Sequence, residues 1–126
     1  MALRGLREAT AKHGLPTLYA PVRPNRKSDY PSVDMAEYVE WKSDDGLEPF
    51  DPWLRMHTRQ GGRVLHVCRR SMEIVGTVAH WEESTGMKFP KSGEYEVPGA
   101  LVPVIVDIEN DLVEYIEPNI WVRHDV

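Results

Sequence analysis

The sequence predicts an α+β fold with mixed helical and sheet layers, in the order helix, strand, helices, strands and a long closing hairpin. Apolar residues recur at helical spacing in the first half of the chain, whereas the second half alternates with a period of two. The strongest signal is a pair of apolar, β-branched segments, Leu101–Ile108 and Leu112–Arg123, separated only by Glu109-Asn110-Asp111. This arrangement predicts two antiparallel strands joined by a tight turn. At 126 residues, the chain has the length of one ordinary domain, residues 1–126.

The first predicted helix covers Ala2–His13 and is followed by a short buried strand, Thr17–Val22. Apolar residues recur along one stripe of this helix, and its basic residues lie elsewhere on the surface. Gly14 suits the position just after the helix, where a left-handed backbone is required. Pro21 and Pro24 limit further strand pairing in the next segment.

Two further helices are predicted before the chain changes to strand periodicity. Asp34 or Ser32 caps a helix over Met35–Lys42. The pair Asp51-Pro52 starts a third helix, because aspartate accepts from free backbone N–H groups and proline suits the first helical position. Gly61-Gly62 ends that helix.

The strand-rich part contains one more short helix. Strands are predicted at Arg63–Cys68, at Met72–Val75 and, in extended form, at Glu94–Val97. Between them, Thr77 caps a two-turn helix that reaches Glu83 and is followed by Gly86.

Charge and composition exclude several classes of function. The net charge is −5, distributed as +4 over residues 1–30 and −9 over the rest. An acidic body argues against a nucleic-acid surface, whereas the local basic segment suits a small anionic ligand or a solvated loop. No apolar run approaches the roughly 20 residues that a membrane span requires, and no signal-peptide core is present, so we expect a cytoplasmic protein without a membrane partner. The single cysteine, Cys68, excludes an internal disulfide.

Four segments together resemble the C-terminal half of a GNAT acyltransferase, and especially its actinobacterial GNAT-like members. They are Leu18–Pro24, Phe50–Arg59, Ser71–Gly76 and Tyr95–His124, which include the motifs APVRP, FDPWLRMHTR and VPGALVPV. The resemblance implies a GNAT-like fold and acyl transfer from acetyl-CoA or another acyl-CoA to a small amine. In that family two parallel strands splay apart, the pantetheine arm pairs with their exposed backbone, and Thr17–Val22 is expected to be the second splayed strand.

The resemblance also implies that half of the binding site lies outside these residues. The family motif R/Q-x-x-G-x-G/A, which holds the coenzyme pyrophosphate at a helix N-terminus, is absent from the sequence. We therefore expect activity only when another chain or a second copy completes the site, with a homodimer or complementing chain pairing at residues 17–22. The alternative is a non-catalytic interaction or assembly module derived from the family.

Site residues follow from the same resemblance. Tyr30 and Tyr38 are the candidates for the tyrosine that protonates the departing thiolate, a step that suits a side chain neutral at pH 7. The candidates for cofactor contacts are Val22, Arg23, Asn25, Arg26 and Lys27. Ordinary turn and loop roles remain the alternative for Arg23, Asn25, Arg26 and Lys27, and core packing for Tyr38. No metal site is predicted, because His57 and His66 have no third ligand at recognisable spacing.

Overall fold

A computed structural model describes residues 2–125, with side chains described from residue 4 onward. Its helices are α1 (Ala2–Lys12), α2 (Met35–Tyr38), α3 (Pro52–Arg59) and α4 (Val78–Thr85), and a 3₁₀ turn covers Lys27–Asp29. Its strands are β1 (Thr17–Val22), β2 (Arg63–Gly76), β3 (Gly93–Tyr95), β4 (Val104–Asp107) and β5 (Leu112–Asp125). The predicted α+β class is confirmed. The longest of these helices, α1, has 11 residues, and none within residues 2–125 has the length and apolar character to cross a membrane.

Strand β5 is the centre of a fully antiparallel five-stranded sheet. On one side it pairs with β2, from Val113 opposite Gly76 to Arg123 opposite Arg63. On its other side β1 pairs with its second half and β4 with its first residues, while β3 adds to the outside of β4. The predicted hairpin, β4 and β5, is therefore confirmed, and a gap along the edge of β5 separates the end of β1 from the start of β4.

The buried side chains divide into two apolar clusters that share β5. One lies under β1, α2 and α3 and includes Val22, Tyr38 and Ile120. The other lies under α4 and the hairpin and includes Trp81 and Val113. Along β5 the buried positions change from odd to even numbers across Pro118, next to a shift in the β2 register between Cys68 and Met72. The gap along β5 therefore coincides with the boundary between the clusters.

Two of the three predicted N-caps form the expected hydrogen bonds, whereas Asp34 precedes α2 without a side-chain cap hydrogen bond. Asp51 accepts from two backbone N–H groups at the start of α3, and Thr77 accepts from His80 N at the start of α4. Gly14 and Gly86 both adopt positive φ just after helices, where a Cβ would be strained.

Several predicted elements differ in extent, among them α2 and β2. Helix α2 stops at Tyr38 rather than Lys42, because the chain must turn there to form the bridge between Lys42 and Pro49. The two predicted strands Arg63–Cys68 and Met72–Val75 form one strand, β2, whose irregular residues between Cys68 and Met72 lack a β5 partner.

Candidate active site

The segment that leaves β1 begins with Arg23, whose guanidinium connects three parts of the chain. Arg23 Nε donates to Glu117 Oε1 at 3.0 Å, and Arg23 Nη2 donates to the Gly99 carbonyl at 2.8 Å. The arginine side chain is 47% exposed, whereas that of Glu117 is only 2% exposed. The ion pair therefore spans from the interior of the gap along β5 to the surface at the end of β1.

Glu117 is the centre of a buried hydrogen-bond network. Its Oε1 also accepts from the Tyr115 hydroxyl at 2.8 Å, and its Oε2 accepts from Asn119 Nδ2 at 3.0 Å. Ser71 Oγ donates to Asn119 Oδ1 at 2.8 Å, which fixes the orientation of that amide. A buried carboxylate is costly unless it is paired and hydrogen-bonded. Here three donors meet that requirement, two from β5 and one from the segment that follows β1.

Tyr115 connects this network to the loop before β4. Its hydroxyl accepts from Leu101 N at 3.0 Å while donating to Glu117. Burial raises the pKa of Tyr115 to about 12, the bond and charge of Glu117 add to the shift, and the bond from Leu101 opposes it. The phenol therefore stays protonated near neutral pH and acts as a donor.

Tyr38, one of the two predicted acids, is buried and already committed as a donor. Its hydroxyl donates to Asp51 Oδ2, and burial, followed by this hydrogen bond, raises the Tyr38 pKa. Asp51 also accepts from the backbone N–H groups of Asn25, at 3.3 Å, and Arg26, at 3.1 Å. The pair thus fastens the loop after β1 to the start of α3.

Tyr30, the other predicted acid, lies closer to the surface. Its ring packs edge-on against Trp41, with centroids 4.9 Å apart, and against Phe50 at 5.9 Å. The ring is half-buried, and its hydroxyl makes no hydrogen bond to any residue from 2 to 125. Of the two tyrosines, Tyr30 therefore has the hydroxyl that is available to a ligand.

The predicted cofactor residues are placed differently from one another. Asn25 and Arg26 are exposed, and the Arg26 guanidinium lies 5.0 Å from the centre of the Phe50 ring, with Nε 3.4 Å from Asp29 Oδ2. Val22 belongs to the core and is 4% exposed. Their contacts with a coenzyme stay predictions.

Lys27 is turned into the protein rather than toward solvent. It is fully buried, and its Nζ donates to the carbonyls of Tyr30 and Leu101, both at 2.7 Å. Burial lowers the pKa of Lys27, and the charge of Asp34 partly opposes this. In this conformation the amine holds the loop after β1 against the loop before β4 and does not face a ligand.

A second buried polar cluster lies at the opposite end of β1. His57 Nδ1 and His124 Nε2 are 2.9 Å apart, and both rings are buried. Burial, followed by the neighbouring His124, lowers the pKa of His57 to about 4, and burial also lowers the pKa of His124. Within residues 2–125, His124 Nδ1 has no hydrogen-bond partner. Both rings are therefore neutral at pH 7.

An open cleft of about 750 Å³ lies away from the end of β1, between β2 and the segments around α2 and α3. Arg63, Leu65 and Arg69 line one wall, and Val39 and Pro49 line the other. Among residues 2–125, no three His, Cys, Asp or Glu side chains are grouped so that they could hold a metal ion.

Sequence reasoning singled out Arg23 but missed Tyr115, Glu117, Asn119 and Ser71. Glu117 lies 94 residues from Arg23, so no local spacing could reveal the pair. A weaker signal was present, since Glu117 continues the alternation of Val113 and Tyr115 in a strand. A charged residue on the apolar side of a strand predicts a buried partner.

The chain is related to an N-acetyltransferase. It is 34% identical, over an alignment of 143 residues that takes in all of this chain, to the arginine N-acetyltransferase avaD of Aspergillus versicolor. That alignment covers 49% of the relative, so the chain spans about half the length of the curated relative it matches. No family model matches the chain, and no solved structure matches it.

Proposed function

We propose that this chain forms one half of an acyl-CoA-dependent N-acyltransferase of GNAT-like fold. The carrying observation is the similarity of the whole chain to an arginine N-acetyltransferase. Acetyl-CoA is the first candidate donor, and arginine is the first candidate acceptor. The alternative from the sequence, a non-catalytic assembly module, has no support in these comparisons.

The free edge of β1 supports a cofactor position. Among residues 2–125, β1 pairs with β5 on one side only, so the backbone of its other edge has no strand partner. Such an edge can accept an extended ligand or a further strand. In the proposed enzyme, this edge contacts the pantetheine arm, and the segment that completes the site comes from the same polypeptide, a complementing chain or a second copy.

In the proposed reaction, the acceptor nitrogen attacks the thioester carbonyl carbon. The C–S bond then breaks, the acyl group stays on nitrogen, and the nitrogen loses a proton to solvent or a base. The departing thiolate takes a proton from Tyr30, whose hydroxyl has no partner within residues 2–125. Tyr38 is less suited to this step, because its hydroxyl donates to buried Asp51.

The direct test incubates the native full-length protein with acetyl-CoA and arginine. Thiol release and mass spectrometry of the product report acetyl transfer, and Tyr30→Phe is expected to lower kcat by roughly 10²-fold or more with little change in KM. Tyr38→Phe is the comparison variant and is expected to reduce folding stability first. Failure to acetylate any amine from a panel would contradict the proposed function.

Hydrogen exchange tests the position of the coenzyme separately. Acetyl-CoA is expected to slow exchange of the backbone amides of β1 and to leave those of α4 unchanged. Turnover without any protection of β1 would place the coenzyme elsewhere on the protein.

A further inference from the structure

The guanidinium of Arg23 uses some of its N–H groups in hydrogen bonds within the protein and leaves others accessible to a ligand. Nε and Nη2 are bonded to Glu117 and to the Gly99 carbonyl. Within residues 2–125, Nη1 has no hydrogen-bond partner, and 47% of the side chain is exposed. Arg23 therefore presents unused N–H donors at the end of β1, the strand whose free edge is proposed to contact the coenzyme.

These donors have a fixed direction. Glu117 is itself held by Tyr115 and Asn119, and the Gly99 carbonyl fixes a second point of the planar guanidinium. A flexible side chain loses rotamer entropy when it binds a ligand, and most of that loss has already occurred here on folding. The geometry is that of a preorganised donor rather than a solvated surface arginine.

A fixed pair of N–H donors recognises an oxyanion, and the local charge favours a carboxylate over a pyrophosphate. The negative charge of Glu117 offsets that of Arg23, so the pair exerts little long-range attraction on a multiply charged pyrophosphate. It retains short, directional hydrogen bonds, which suit a single planar carboxylate.

We propose that Arg23 binds the carboxylate of an amino-acid acceptor and thereby selects amino acids over simple amines. This inference rests on the proposed function and specifies its substrate class. Arg23 contacts the substrate, and Glu117 acts as a positioning residue through Arg23.

The test compares arginine with agmatine, the same amine without the carboxylate. Calorimetry on the native full-length protein is expected to show arginine binding roughly tenfold to hundredfold more tightly than agmatine. Arg23→Met is expected to remove this preference by weakening arginine alone, and Arg23→Lys to restore part of it. Arg70→Met, which removes an exposed arginine paired with Glu73, is the matched control and keeps the preference.

Folding is controlled with a second variant, because Arg23→Met leaves the Glu117 carboxylate buried without its cation. The double variant Arg23→Met/Glu117→Gln removes both charges, and the same loss of preference is expected. The inference would be overturned if the folded double variant kept the preference for arginine, or if the wild type had none. It would also be overturned if Arg23→Met weakened the binding of acetyl-CoA and not that of arginine. Acetyl transfer to agmatine is measured alongside, so that the proposed function can stand when the role of Arg23 fails.

Discussion

Strand β5 carries two buried polar clusters, one of which contains an ion pair whereas the other contains two neutral histidine rings. Around Glu117, three side-chain donors surround a carboxylate, and one of them carries the opposite charge. Around His124, two rings bond to each other and are neutral at pH 7, and His124 Nδ1 has no partner within residues 2–125. The comparison shows that this fold buries an ionised group where donors converge on it, and a neutral titratable pair where they do not.

The largest expected effect removes the centre of the ionised cluster. Glu117→Ala leaves the buried groups of Tyr115 and Asn119 without their acceptor and Arg23 without its counter-charge. We expect a loss of about 4 kcal/mol in the free energy of unfolding, measured by urea denaturation. Glu114→Ala, at a half-buried position on the same strand, is the control and is expected to change stability by less than about 1 kcal/mol. Equal losses in the two variants would contradict the role given to the network.

Lowering the pH is expected to destabilise the folded protein through the neutral pair of His57 and His124. The folded-state pKa of His57, about 4, is below the ordinary value of 6.5, so the unfolded chain binds protons more readily. The free energy of unfolding is therefore highest above pH 6.5 and decreases as the pH falls toward about 4. The total decrease from this group is about 3 kcal/mol.

Urea denaturation over a pH series measures this loss. His57→Gln is expected to flatten the dependence, whereas His80→Gln, at an exposed position, keeps it. A slope that survives in His57→Gln would assign the titration to other groups.

Steric crowding at the histidine pair gives a smaller effect. A Cβ on Gly62 would lie 2.7 Å from both His124 Cε1 and the His57 carbonyl oxygen. Because one contact is backbone, we expect Gly62→Ala to cost about 2 kcal/mol, measured by thermal and urea unfolding.

Gly5→Ala gives a comparison of opposite sign. Gly5 lies in α1 with nothing near its missing Cβ, so alanine is expected to stabilise by about 0.5–1 kcal/mol. A destabilised Gly5→Ala would mean that alanine substitution itself, rather than crowding, explains the loss at Gly62.

The smallest effect concerns the outer part of the Glu117 network. Ser71→Ala removes the donor to Asn119 Oδ1 and is expected to cost about 1 kcal/mol. Ser71→Thr keeps the hydroxyl and is expected to recover most of that loss. If both variants behave alike, the hydrogen bond does not contribute to stability.

Local chemistry explains which parts of the fold the sequence predicts. The Asp51 and Thr77 caps and the turn at Glu109-Asn110-Asp111 depend on neighbouring residues, and the elements they define are present. Strand β4 begins at Val104, three residues later than predicted, because Leu101 bonds through its N–H to Tyr115 and through its carbonyl to Lys27. Those partners are distant in the sequence, so alternation alone could not exclude Leu101 from the strand.

The candidate site depends almost entirely on such distant partners. Arg23 was found because it follows a recognisable strand, but its orientation depends on Glu117 and Gly99. The family resemblance and its charge place Lys27 among the expected ligand contacts, whereas burial gives its amine two backbone carbonyls as partners. Side-chain type predicts what a residue can bind, whereas the sheet pairing determines what lies within its reach.

The central position of β5 has a consequence for synthesis on the ribosome. Among residues 2–125, strands β1 and β2 pair with β5 and with no other strand, whereas β4 also pairs with β3. Neither β1 nor β2 can therefore find its neighbour until β5 has been made. Until residues 112–125 leave the exit tunnel, the nascent chain exposes the edges and apolar faces of β1 and β2. We therefore expect translation pauses before residue 112 to increase binding of nascent-chain chaperones.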